Sequence, residues 1–351
     1  MKFAFNVKIA KNSWGGGNAF LKIFTKFLKE KGHKVLFNLN DLDIDVIFII
    51  DPRYNNPFIT FPIAKAINYT LFKNNKTLII HRINECNKKR FKSNLNIDNL
   101  LLKTNQFADY TIFVSKWLSK QRIWKNKNKK DSRVILNGSD KSIFNTKGKK
   151  NKKKNQKLSL VTHHWSNNWN KGFKYYKILD NLLDKPYWKS RVKFSFLGNI
   201  PQHLQFKNTN VLKPLNDHKL SKKLKEFDGY ITGSMYEPGS NHQNEGALCG
   251  LPLFYIDHSS MPEYCETYGV SFKEKNFEKQ LKLFKKKLPF YQKKIKKFKH
   301  NSDLVCKNYL DLINDISQKK IKRSDNFSLL IYIFFIFDFV KYNLKKILFK
   351  I

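Results

Sequence analysis

The stretch GSMYEPGSNHQNEGALCGLP, residues 233–252, decides how the rest of the chain is read. Apolar runs at 229–232 and 253–256 flank it, so it joins two strands. Glu237 and Glu245 stand eight residues apart, the first ahead of a predicted helix and the second inside it. Between them, Gly239, Ser240 and Asn241 can turn backbone N–H groups toward a phosphate, because a helix start carries unpaired donors and partial positive charge. Carboxylates accept strong hydrogen bonds from sugar hydroxyls. A carboxylate at each end of such a turn therefore suits a ligand with hydroxyls on both sides of a phosphate. Paired carboxylates also fit glycoside hydrolysis. Nothing here reads as a barrel or an open sugar cleft, and the phosphate-binding setting favours transfer.

Outward from this stretch, short apolar runs alternate with amphipathic segments, the mark of βαβ units around parallel sheets. In the first half strands are expected at 2–9, 34–39, 45–50, 77–81, 110–114 and 134–136. A helix over 18–31 places Phe20, Ile23, Phe24, Phe27 and Leu28 on one face. Residues 147–157 (KGKKNKKKNQK) contain no apolar side chain and read as a solvated hinge. The alternation restarts with strands expected at 158–162, 192–197, 209–212, 229–232 and 253–256, and 276–317 reads as mainly helical. The fold expected is α/β: two Rossmann-like, doubly wound domains, with ligands beyond the carboxyl ends of the strands. The divisions expected are 1–145, a lysine-rich linker 146–157, 158–300, a helix 301–325, and an aromatic and basic tail 326–351.

Composition narrows the classes further. The 351 residues carry 68 Lys+Arg against 27 Asp+Glu, a formal charge of +41, which first points to nucleic acid. The excess is spread along the whole chain and comes with abundant Asn, Ile and Phe. These residues share A/T-rich codons, so genome bias accounts for it and nucleic-acid binding is disfavoured. The charge still draws the surface to anionic membranes and substrates. Cys86, Cys249, Cys265 and Cys306 are widely spaced and read as reduced thiols of a cytoplasmic protein, with no zinc site and no cofactor indicated. The N-terminal segment does not read as a signal peptide, because Lys8 breaks its apolar run. LLIYIFFIF (329–337) is too short to span a bilayer before Asp338 and Lys341 interrupt it. The tail is therefore either a helix lying at the inner face of a membrane or a final helix packed on the N-terminal domain.

The remaining loops carry weaker signals. Ser13-Trp14-Gly15-Gly16-Gly17-Asn18 follows the first strand; glycines there serve a tight turn or let backbone approach an anion. The pattern is neither GxGxxG nor a P-loop. His163 and His164 end the first strand of the second half, and neighbours on an extended segment point to opposite faces, which argues against a shared metal. Lys171 precedes a helix, where ammonium and helix dipole together can hold a diphosphate. Asp41-Leu42-Asp43 matches a metal–diphosphate DxD motif, but it precedes a strand and reads as a turn.

The 233–252 stretch closely resembles the E-x7-E motif of retaining GT-B glycosyltransferases, specifically the large group 1 family (family 4). Ala247-Leu248-Cys249-Gly250-Leu251-Pro252, Pro262-Glu263-Tyr264, Phe113-Val114-Ser115, the 134–144 run VILNGSDKSIF and Lys171-Gly172 match that family's pattern, in order, over residues 1–275. The resemblance implies two domains facing a central cleft, the first on the acceptor side and the second holding a nucleotide-diphosphate sugar, without a catalytic metal. It implies that Glu245 binds the donor's ribose, Glu237 and the following backbone the transferred hexose, and Lys171 the diphosphate, with Gly16 and Gly17 facing it. Two departures stand out. The family's Arg ahead of the Lys is replaced by His163-His164-Trp165-Ser166-Asn167, which leaves His164 as the candidate second cation. The family's Gly-Gly before Pro-Glu is replaced by His258-Ser259-Ser260.

In His81-Arg82-Ile83-Asn84-Glu85, His81 is the candidate beside the reacting carbon, with a strand-end cap as the plainer alternative. Arg82, Asn84 and Glu85 are candidates for the acceptor. The implied activity is transfer of a hexose, with retention, to a glycan or lipid-linked acceptor in cell-surface polysaccharide synthesis. The rivals are a basic nucleic-acid-binding protein and a sugar-nucleotide epimerase; the latter lacks its expected carboxylate-rich centre.

Overall fold

The computed structural model describes residues 1–10, 15–89, 96–125, 131–149, 156–319 and 328–349. Two compact units emerge: Met1–Asn87 with Asn94–Ile135 and Cys306–Ile351, and Leu136–Val305 with Lys88–Ser93. The division at 135/136 falls ahead of the lysine-rich stretch. Residues 150–155 of that stretch lie outside the described residues, and Lys149 Nζ donates to the Phe227 carbonyl at 2.8 Å, within the second unit.

The first unit holds strands β1 (Lys2–Phe5), β2 (Lys34–Leu36), β3 (Val46–Ile49), β4 (Leu78–Ile83), β5 (Tyr110–Phe113) and β6 (Ser132–Val134). They form one parallel sheet in the order β2-β1-β3-β4-β5-β6. Every residue of Val46–Ile49 is buried, as expected of a strand covered on both faces. Helix Gly15–Glu30 buries Phe20, Leu21, Phe24 and Leu28, the stripe that its 3.6-residue period lays out. Asp41 and Asp43 both pair with Lys2, and Asp41 also pairs with Lys34, so the DxD sequence ties a turn to a strand edge. Helix Leu329–Phe349 packs on helix Ile63–Phe72, with Phe335 buried beside Ile63, Ala64, Ala66 and Ile67. Among the described residues no helix is long and apolar enough to cross a membrane.

The second unit holds β7 (Leu158–His164), β8 (Val192–Gly198), β9 (Asn210–Leu212), β10 (Gly229–Thr232), β11 (Leu253–Ile256) and β12 (Gly269–Phe272). Their order is β12-β11-β10-β7-β8-β9, all parallel. β12 escaped the sequence reading: it is four residues long and opens on Gly269, where a Cβ would meet the Leu253 carbonyl oxygen at 1.7 Å. The strand order reverses between β7 and β10. Such a reversal leaves a crevice beyond the carboxyl ends of the two central strands, because their connections leave to opposite sides. Here those ends are His163-His164 and Thr232.

Candidate functional site

At the reversal of the second sheet, two segments are joined backbone to backbone. The Met235 N–H donates to the Asn170 carbonyl at 2.8 Å, and Ser234 Oγ donates to the Lys171 carbonyl at 3.3 Å. Gly172, with φ +96°, makes the approach feasible: a Cβ there would lie 2.4 Å from the Gly233 carbonyl carbon. Only glycine takes this backbone and this spacing without strain. The contact carries the Lys171 ammonium to Glu237, Nζ to Oε1 2.5 Å.

Glu237 is held from a second side. Its N–H donates to Ser259 Oγ at 3.1 Å, and Ser260 Oγ donates to its carbonyl at 2.7 Å. Its side chain is almost fully buried. Burial alone would push the carboxyl up, but the Lys171 ammonium, with Lys89 and His242 adding to it, outweighs burial and holds the pKa at about 2. Glu237 is thus a permanent carboxylate, able only to accept hydrogen bonds.

Glu245 lies in helix His242–Leu248 and meets His163, Nε2 to Oε2 2.7 Å. Tyr230 sets this histidine: its hydroxyl lies 3.0 Å from His163 Nδ1 and accepts from the His163 N–H at 3.1 Å. Burial drives the Tyr230 pKa far up, so its hydroxyl keeps its proton. The two contacts fix the ring with Nε2 facing Glu245. Gly246 lets the helix seat against the Tyr230 ring, since a Cβ would come within 2.4 Å of it.

His164 does not share this contact. It turns into the core, where Nε2 lies 2.8 Å from Tyr176 Oη, and burial lowers its pKa well below the usual value. The alternation of an extended strand separates the two rings: His163 meets the Glu245 carboxylate, while His164, the second diphosphate cation expected from sequence, is turned into the core and held uncharged by burial. His242, also missed, is buried, accepts or donates with Thr232 Oγ1 at 2.8 Å, and stacks edge-on to His164 with ring centroids 4.5 Å apart. Among the described residues no three His, Cys, Asp or Glu side chains are grouped to hold a metal ion. Gly239, Ser240 and Asn241 lead into the helix at His242. The Gly239 and Asn241 carbonyls accept from Asn137 Nδ2 at 2.7 Å and Ser139 Oγ at 3.3 Å, while Ser240 Oγ is engaged by Gln243 at 2.7 Å. The Ser240 hydroxyl proton is thus committed to Gln243, so toward a phosphate Ser240 presents backbone.

In the first unit the candidates separate. His81 is fully buried inside β4, because the strand continues to Ile83 and pairs His81 with Thr111 and Ile49. Arg82 is equally buried: Nε donates to Tyr309 Oη at 3.1 Å and the guanidinium lies 4.0 Å from the Phe20 ring centroid. Both side chains are buried, and the Tyr309 and Phe20 that Arg82 contacts belong to the same unit. Asn84 and Glu85 lie just past the strand end and are partly exposed. Gly16 and Gly17 fall in the first turn of helix Gly15–Glu30, and a Cβ on Gly17 would lie 3.3 Å from Asn84 Nδ2. Ser13 and Trp14 lie outside the described residues. An Asp51–Arg53 pair, unforeseen in the sequence, sits near Glu85.

No family model matches the chain, and no curated protein matches it. Solved structures do. Sucrose-phosphate synthase from Thermosynechococcus elongatus aligns over 90% of this chain and 98% of its own, at 10% identity and a TM-score of 0.60. HepE of Anabaena, in complex with UDP, aligns over 90% and 99%, at 11% identity and a TM-score of 0.61. A glycosyltransferase from Rickettsia africae aligns over 91% and 99%, at 11% identity and a TM-score of 0.60. The likeness is one of fold: two parallel six-stranded sheets with flanking helices, the two-domain α/β architecture called GT-B.

Proposed function

On this GT-B fold, we propose that the chain is a glycosyltransferase that moves a hexose from a nucleotide-diphosphate sugar to a glycan or lipid-linked acceptor. The observation that carries the reading is the convergence of Lys171, Glu237, His163 and Glu245 at the reversal point of the second sheet. Ligands of such sheets bind there, and HepE of Anabaena, which shares the fold, is described in complex with UDP and glucose.

Each group then has a task. Glu237, ionised at every working pH, accepts hydrogen bonds from the hexose hydroxyls. Glu245, aimed by His163, accepts from the ribose hydroxyls. Lys171 meets the charge that develops on the departing diphosphate, aided by backbone N–H groups of residues 239–241, with no catalytic metal assigned. A fixed cation beside the leaving oxygen stabilises the transition state more than the ground state, because charge grows there as the glycosidic bond breaks. Transfer proceeds with retention on this reading. In the first unit the acceptor side falls to Asn84 and Glu85, at the carboxyl end of β4, with the Gly16-Gly17 turn beside them. Four buried free cysteines support work in the reducing cytoplasm.

The test is calorimetric titration of the chain and of Glu245→Ala with a panel of UDP-, GDP- and ADP-hexoses. One donor binds the wild-type chain, and Glu245→Ala weakens it by about tenfold or more, roughly one lost charge-assisted hydrogen bond. Unchanged affinity in the variant, or no binding by the wild type to any donor, sinks the assignment.

A further inference from the structure

Helix Leu329–Phe349 is apolar nearly all round. Such a helix is normally covered on every side, yet among the described residues only one of its faces is covered. Phe335 and Tyr342 are buried, Ile331, Phe334 and Phe339 pack on the core of the first unit, and Tyr342 Oη donates to the Thr60 carbonyl at 3.3 Å. Asp338 is turned inward on this same face.

The opposite face carries Leu330, Ile333, Phe337, Val340, Leu344 and Ile347, with exposures from 41% to 80%. Their steps of three and four residues keep them on one stripe along the whole helix, about 31 Å at 1.5 Å per residue. Helix Ile63–Phe72, against which it packs, itself ends in exposed Leu71 and Phe72. This exceeds the scattered apolar exposure of ordinary surfaces.

Cations border the stripe. Lys65 Nζ lies 5.6 Å from the Phe339 ring centroid and Lys103 Nζ 3.6 Å from that of Phe334, and Lys341 projects from the helix itself. The chain as a whole carries +41. A second copy brought to this face would set like charge against like charge, whereas an anionic lipid surface offers both an apolar layer and the opposite charge. One face of the helix is already held by protein, so it can lie along a bilayer but not cross it.

We propose that this stripe docks the first unit onto an anionic lipid bilayer, with the helix lying at the headgroup boundary. The proposal does not rest on the donor chemistry, and its failure would leave that reading untouched.

Vesicle flotation tests it, using phosphatidylcholine alone and phosphatidylcholine mixed with phosphatidylglycerol. The wild-type chain floats with the mixed vesicles and keeps part of that binding in high salt, where charge attraction is screened and apolar contact is not. The variant Ile333→Asn/Phe337→Asn/Val340→Asn changes only exposed side chains. It should lose about tenfold or more of the high-salt binding, with an unchanged melting temperature and unchanged nucleotide-sugar titration. If the triple variant melts lower, Leu330→Asn/Leu344→Asn provides the same comparison. Three results overturn the proposal: variants that float like the wild type, wild-type binding that disappears entirely in high salt, or a wild-type dimer in sedimentation that the variant converts to monomer without any flotation.

Discussion

Replacing Lys171 by Met removes the ammonium that keeps Glu237 ionised while leaving a side chain of similar length. In the wild type a carboxyl held at about 2 instead of 4.5 is worth roughly 3 kcal/mol of folding stability at neutral pH, since each pH unit corresponds to about 1.4 kcal/mol. Glu237 has its folded pKa depressed, so its contribution is complete above pH 4.5 and is lost as pH falls toward 2. In Lys171→Met the largest remaining influence is burial, which pushes the carboxyl above its ordinary value. The variant then holds an uncompensated buried carboxylate at pH 7, a cost of about 3–5 kcal/mol. Acidification relieves that cost as the group takes up a proton. The stability gap between wild type and variant is therefore widest at pH 7 and narrows steadily toward pH 4.5. Urea denaturation followed by tryptophan fluorescence reads it directly: a midpoint lower by roughly 1.5–2.5 M at pH 7, for a slope near 2 kcal/mol/M, and a smaller difference at pH 4.5. The double variant Lys171→Met/Glu237→Gln should recover most of the loss, because no charge is left buried. A gap below about 1 kcal/mol at pH 7, or one that stays constant across the range, would refute the reasoning.

Two further substitutions probe how the second unit is built. Gly172→Ala forces a side chain into left-handed backbone and against the Gly233 carbonyl carbon at 2.4 Å, so it should cost at least about 2 kcal/mol in thermal or urea unfolding; a loss within a few tenths of that of a surface substitution would show that the 169–172 and 233–237 segments are not locked together. Asp180→Asn removes a fully buried carboxylate that accepts from the N–H groups of Lys207, Asn208 and Thr209, and about 2–3 kcal/mol should be lost; its carboxyl is held below the ordinary value, so the loss should shrink as pH falls below about 4, and a pH-independent loss would contradict the assignment.

The sequence by itself determined the parallel α/β character of both halves, because strand and helix periods are local properties of side-chain order. Val46–Ile49 reads as a buried strand and Phe20, Phe24 and Leu28 as a helix stripe without reference to the rest of the chain. It also determined the carboxylate pair, since Glu237 and Glu245 sit on one short segment between two strands. What it could not determine was which groups from distant segments would meet them. Lys171 reaches Glu237 only because Gly172 admits the Gly233 backbone, and His163 reaches Glu245 only because Tyr230 of the neighbouring strand fixes its ring. That His163 faces Glu245 while His164 faces the core turned on strand alternation, and β4 runs two residues beyond His81, so that His81 and Arg82 are both buried. The tail shows the same limit: its apolar residues are plain in the sequence, but only packing on helix Ile63–Phe72 decided which of them face inward and which are left as an exposed stripe. Periodicity says that a face exists; tertiary contact alone says what covers it.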